Sequence, residues 1–158
     1  MYKDRAMTPE APAATVRIVT LAGSFETFGL VLDHLSRIQP FATYSLGNFS
    51  RALQHQLQER TNVAALAGNR ITGYCGWLPT TRANAAAWIA NSDSLRPVGG
   101  SDADAVALAV VTASDRGTLL RLIREARRLS PGKQVFFKRE YAGEGRPARK
   151  ASVWNVVA

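Results

Sequence analysis

A strand, a tight polar turn and an amphipathic helix follow one another without a spare residue between positions 105 and 132, and this succession constrains the fold more than any other stretch. Ala105 to Ala113 is a run of small apolar residues, Ser114-Asp115-Arg116-Gly117-Thr118 forms the turn, and a helix over 118–129 is stopped by Ser130-Pro131-Gly132. The helix is expected to pack through Leu119, Leu120, Ile123 and Leu129 and to offer Arg121, Arg124 and Arg128 to solvent. A strand that delivers its chain directly into a helix start aims unpaired N–H groups and the positive dipole end at whatever lies over the turn. Many folds hold an anionic group this way, so Ser114, Arg116, Gly117 and Thr118 are candidate ligands.

The rest of the chain supplies the partners of that unit. Val16 to Leu21 is a short strand, and Ser24 caps a helix with Phe25, Phe28, Val31, Leu32 and Leu35 along one side, ending before Gln39-Pro40. Asn48 is expected to cap a second helix with Phe49, Leu53 and Leu57 inward and Gln54, Gln56, Gln58 and Glu59 outward. Val63 to Ala67 and Arg70 to Trp77 are strands joined by Gly68-Asn69, the pattern of a tight hairpin, with Gly73 and Gly76 marking a bulge or a close backbone approach. Thr80 or Thr81 caps a short alanine-rich helix, Asn91 to Asp104 is a loop, and strands Gln134 to Tyr141 and Ala148 to Val157 flank a turn at 143–147. This order predicts an α/β (α+β) domain over 15–158, a central mixed sheet with helices on its faces, after a disordered lead-in at 1–14.

Composition narrows the function classes. The net charge is +8, and residues 116–150 hold eleven Lys and Arg against Glu125, Glu140 and Glu144, so this segment accounts for the whole excess. Such a field attracts polyanions: nucleic acid, an anionic surface, an acidic protein or a phosphorylated ligand. One cysteine, Cys75, excludes an internal disulfide, and two scattered histidines predict no metal site. There is no apolar run of membrane-spanning length and no secretory signal pattern at the start, so a cytoplasmic protein is expected. Walker A, dinucleotide-binding and Gly-x-Ser-x-Gly patterns are absent, and Cys75, within a strand, reads as a buried thiol rather than a nucleophile.

Tyr74-Cys75-Gly76-Trp77 after a helix and hairpin, the strand, glycine turn and helix at 105–129, and the paired strands around Lys133-Gln-Val-Phe-Phe-Lys-Arg139 and Lys150-Ala-Ser-Val-Trp154 occur in a telling order. Over roughly residues 24–157 the chain resembles a GNAT-type acyltransferase, and within that group the toxin-activating lysine acyltransferases that modify RTX protoxins. The resemblance implies a mainly antiparallel GNAT-like sheet, transfer of a fatty acyl group to a protein lysine, a donor on the phosphopantetheine arm of acyl carrier protein, and a homodimer. Arg121, Arg124 and Arg128 would steer that acidic carrier, with Ser114, Arg116, Gly117 and Thr118 toward the phosphate.

The chain departs from that pattern at its centre. The family's Ser-x-x-His falls on Ser36-x-x-Gln39, and glutamine cannot serve as a general base. A shifted register puts His34 in the role, the other reading being a structural or exposed histidine. The family's strand Asp falls on Leu108, and Asp104 substitutes only if the strand shifts or the loop folds back. Three classes therefore stay open: a divergent acyltransferase using substrate-assisted or unrecognised proton transfer, with His34 and Asp104 as its candidate catalytic residues, a catalytically silent relative that binds an acyl donor or partner protein, and a basic nucleic-acid-binding module. The last would use Phe136, Phe137 and Tyr141 among Lys133, Lys138 and Arg139.

Overall fold

The computed structural model describes residues 15–139 and 149–155. The lead-in assigned to 1–14, the turn at 143–147 and the outer ends of the last two strands lie outside the described residues. Among the described residues six strands form one sheet in the order in which they occur: β1 (Val16–Val19), β2 (Asn62–Ala67), β3 (Arg70–Thr80), β4 (Ala105–Ala113), β5 (Gln134–Arg139) and β6 (Arg149–Trp154). Every neighbouring pair is antiparallel except β4 and β5, which run parallel because helix α4 (Arg116–Arg128) carries the chain back between them. Helices α1 (Phe25–Ser36), α2 (Leu46–Gln58) and α3 (Arg82–Ile89) complete the set, so the expected mixed, mainly antiparallel sheet flanked by helices is what forms.

Burial shows why the two faces are covered as they are. On one face, Leu122 and Ala126 of α4 pack on Val63, Ala65, Cys75, Trp77, Val106, Leu108 and Val135. On the other, Val31 and Leu35 of α1 and Leu53 of α2 meet Ala64, Ile71, Tyr74 and Val110, while Ala85 of α3 sits on Ala105 and Phe136. Strand alternation produces this two-sided apolar pattern, and it is interrupted twice by register shifts. One falls between Ala65 and Leu66 opposite Gly73 and Ile71; the other leaves Ala109 as an extra residue of β4 between the Trp77–Leu108 and Gly76–Val110 pairs.

Gly73 and Gly76 answer to close approach as well as to these bulges. A Cβ at Gly73 would lie 2.9 Å from both Leu122 Cδ1 and Thr112 O, and one at Gly76 would fall inside the Gln56 carboxamide. The Gly68-Asn69 turn forms as expected, with Gly68 at φ +64° in the left-handed region that glycine adopts without cost. Ser24 caps α1 through a reciprocal pair with Thr27, and Thr81 caps α3.

Four local expectations are corrected. Helix α2 starts at Leu46 after Ser45; Asn48 lies inside its first turn, its Oδ1 accepting from Arg51 at 2.6 Å. Gln56 is fully buried rather than outward, because the Tyr74 hydroxyl donates to its Oε1 at 3.0 Å in the space that Gly76 leaves free. Phe25 is 92% exposed, since the first turn of α1 projects past the end of the core that Val31 and Leu35 enter. In α4 the packed seam is Thr118, Leu122 and Ala126, flanked by Leu119 and Ile123, whereas Leu120 and Leu129 face solvent. Among the described residues no helix is long and apolar enough to cross a membrane.

Candidate functional site

Among the described residues, parallel pairing between β4 and β5 ends at Leu108–Phe137, although β4 continues to Ala113. The Ser114 N–H donates to Thr72 O on β3, so alternation turns the peptide groups of Ala113 and Val111 the other way, toward the β5 side of the strand. An opened strand edge is a place where an extended, amide-bearing group can add main-chain hydrogen bonds.

His34 and Thr112 meet at this same end of β4. His34 Nε2 lies 3.0 Å from Thr112 Oγ1, and that hydroxyl also accepts the Tyr74 N–H at 3.1 Å. Burial lowers the His34 pKa below its ordinary value; the Asp33 carboxylate opposes this and Arg37 adds to it. The ring is thus neutral around pH 7 and able to take a proton, which a base needs. Thr112 is the residue that sequence reasoning passed over, although it is the only hydroxyl in the apolar run Ala105 to Ala113.

Asp104 lies at the opposite end of the strand, eight residues from Thr112, a separation of roughly 26 Å at the rise of an extended chain. Its carboxylate accepts from the Arg82 N–H and Nε at 2.7 Å each, and these bonds hold its pKa below the usual range. The fold therefore does not bring His34 and Asp104 into one site. Cys75 is fully buried among the residues packed under α4, and burial pushes its thiol up to about 12, as expected for an inert thiol.

The turn before α4 differs from the expected open cradle. Asp115 is the cap: its carboxylate accepts from the Thr118 N–H at 2.8 Å, the Thr118 hydroxyl at 2.7 Å and the Ser114 hydroxyl at 3.1 Å. These bonds, those from Thr118 foremost, lower the Asp115 pKa. The helix start is thus already occupied by an anion of the chain itself, and a Cβ at Gly117 would lie 3.2 Å from that carboxylate.

Cations remain beside the turn and along the helix. Arg116 and Arg124 are exposed, Arg121 reaches the Val16 carbonyl at 3.1 Å, and Arg128 forms a two-bond pair with Glu125 at 2.6 and 2.9 Å. On β5, Phe136 is buried under α3, and Lys138 donates to Asn91 Oδ1 at 3.0 Å while lying over the Trp88 ring.

The chain matches no family model and no curated protein. Among solved structures it is similar to the mosquito arylalkylamine N-acetyltransferase-like 5b, with a TM-score of 0.59 and 11% identity over 81% of this chain and 78% of that one. The fold is GNAT-like. Within this GNAT-like frame, the divergence of β4 from β5, the extra residue at Ala109 and the His34–Thr112 contact all belong to the half of β4 that leads into α4.

Proposed function

We propose that the chain is an acyltransferase that moves an acyl group from a phosphopantetheine thioester to an amine, with His34 as the proton acceptor. The observation that carries this reading is the opening of β4 from β5 after Leu108–Phe137, at the end of the strand where the neutral His34 imidazole sits. The pantetheine arm is a flexible chain with two amides, and the peptide groups of Val111 and Ala113 that face the β5 side are suited to hold it as an added strand. A neutral amine would then attack the thioester carbon, the C–S bond would break as the C–N bond forms, and the proton lost by nitrogen would pass to His34 while the sulfur leaves as a thiolate, which then takes that proton from the imidazolium, directly or through water, to become the free thiol. Peptide N–H groups on the same edge are available to the developing oxyanion.

In this reading the donor is acyl carrier protein, an acidic partner that the arginines of α4 would steer, and the acceptor is a lysine of a protein substrate. Support comes from the basic segment around α4 and from the resemblance to toxin-activating lysine acyltransferases. Because Asp115 fills the helix start, the donor phosphate is assigned to the side chains of Arg116 and its neighbours rather than to the Gly117 and Thr118 amides.

Intact-mass analysis tests the proposal directly. The protein is mixed with acyl-loaded carrier protein or with acyl-coenzyme A and with a lysine-bearing acceptor. Mass gain on the acceptor, lost in His34→Ala, is the expected result. Donor binding without transfer would replace it with a silent donor-binding relative, and absence of both would remove the acyl-transfer reading.

A further inference from the structure

The direction of the hydrogen bond between Thr112 and His34 decides how a proton can reach the ring. Thr112 Oγ1 accepts the Tyr74 N–H at 3.1 Å and lies 3.0 Å from His34 Nε2. Thr112 is only 6% exposed, so its hydroxyl proton needs a partner inside the protein, and among the described residues His34 Nε2 is the one acceptor it meets. The bond network therefore assigns the hydroxyl as donor and Nε2 as acceptor. A neutral imidazole has one bare nitrogen, so the ring's own proton sits on Nδ1. The lone pair that makes His34 a base is thus the one that Thr112 occupies.

The sheet sets where a substrate amine meets this pair. Val111 and Ala113, whose peptide groups face the β5 side, flank Thr112, and alternation lifts the Thr112 side chain onto the α1 face. A thioester held along that edge as an added strand has its carbonyl close to the plane of the sheet, and a nucleophile attacks a carbonyl from above or below its plane. On one side the Val111 and Ala113 side chains lie under α4 with Leu122 and Ile123. On the other stands the Thr112 hydroxyl, backed by the imidazole.

We infer that Thr112 is a catalytic proton relay: its hydroxyl takes a proton from the attacking amine while handing its own proton to His34 Nε2. The inference rests on the acyl-transfer reading and names the group that touches the amine. As the C–N bond forms, an N–H bond of the amine breaks and its proton passes to Oγ1, the Oγ1–H proton passes to Nε2, and the C–S electron pair leaves with sulfur as a thiolate. Thr112 ends as a neutral hydroxyl that now accepts from Nε2–H, so the positive charge resides on the imidazolium alone. Loss of the Nε2 proton to the thiolate gives the free thiol and returns the ring to its starting state. The Tyr74 N–H holds Oγ1 in place throughout.

Two measurements on the full chain test the relay. Nitrogen NMR of the neutral His34 ring should find its proton on Nδ1; a proton on Nε2 overturns the relay whatever the protein catalyses. The second is single-turnover transfer from acyl-loaded carrier protein to a lysine-bearing acceptor, with far-UV circular dichroism confirming that each variant is folded. Thr112→Val should slow the chemical step by roughly 100-fold or more with donor affinity unchanged, Thr112→Ser should stay within about tenfold of the wild type, and Thr112→Val combined with His34→Ala should cost no more than the larger single loss. The wild-type rate in mixtures of light and heavy water should curve with deuterium content, because two protons move in one step. A straight line makes Thr112 a positioning residue and overturns the relay. Thr112→Val at full rate beside an inactive His34→Ala overturns the relay and leaves the acyl-transfer reading standing, whereas a wild type that transfers nothing removes both.

Discussion

The His34 imidazole and the Thr112 hydroxyl are 3.0 Å apart, although 78 residues of chain separate them. The contact joins α1 to the last turn of β4 before the chain enters α4, and it fixes one nitrogen of the ring. Through the second bond of Thr112, to the Tyr74 N–H, the same hydroxyl ties the ring to β3.

Stability should fall as pH drops below 6.5. Above that value His34 is neutral in both states; between it and the lower folded pKa, the unfolded chain binds a proton that the folded chain does not. The loss levels off once pH passes below the folded pKa. Urea denaturation at a series of pH values, compared with His34→Gln, should show this contribution vanish in the variant. An NMR titration placing the His34 midpoint above 6.5 would contradict it.

Thr112→Val should cost about 0.5–1.5 kcal/mol, because the Tyr74 N–H and the His34 ring each lose a hydrogen bond to the hydroxyl while the methyl groups fill the same volume. Thr112→Ser should keep most of the stability. Equilibrium denaturation midpoints measure both, and equal losses in the two variants would mean that the methyl and not the hydroxyl matters.

Two glycine-to-alanine changes should have opposite signs. Gly76→Ala places a methyl group inside the Gln56 carboxamide and displaces the acceptor of the Tyr74 hydroxyl, a cost of roughly 2–4 kcal/mol. Gly29→Ala meets open space on a helix and should gain about 0.5–1 kcal/mol. Thermal melts of the pair provide the comparison within one protein.

Replacing Arg121, Arg124 and Arg128 together by alanine should weaken acyl carrier protein binding by roughly tenfold or more at low salt, with the difference shrinking as salt rises. The melting temperature should change little, since all three side chains are exposed. Calorimetric titration at two ionic strengths reads the effect; unchanged affinity would remove the donor-docking role of this helix.

The parts of the fold that were legible are those encoded locally. A Gly-Asn pair between two apolar runs specifies its hairpin, and Ser24 ahead of a periodic segment specifies its cap. The misplaced residues answer to partners far along the chain. Gln56 looks like a surface residue in its own helix and is buried because a tyrosine 18 residues later reaches it. Leu120 looks apolar enough to pack, yet α4 meets the sheet through Leu122 and Ala126. Of the candidate site, His34 could be named from the sequence as a candidate base. Its hydroxyl partner could not, because tertiary contact chose it, and the anion-binding turn was misread because Asp115 satisfies the amides it precedes.

The extra residue at Ala109 inverts the parity of its strand. Before it the even-numbered side chains Val106 and Leu108 lie under α4; after it the odd-numbered Val111 and Ala113 do, which leaves Thr112 to face α1. Pairing the strand straight through with Ala109 retained and no bulge would exchange the two populations beyond it, sending the hydroxyl beneath α4 and a valine toward the imidazole; excising Ala109 instead would leave each of them on the face it now holds. One position thus decides which face of the sheet carries the Thr112 hydroxyl.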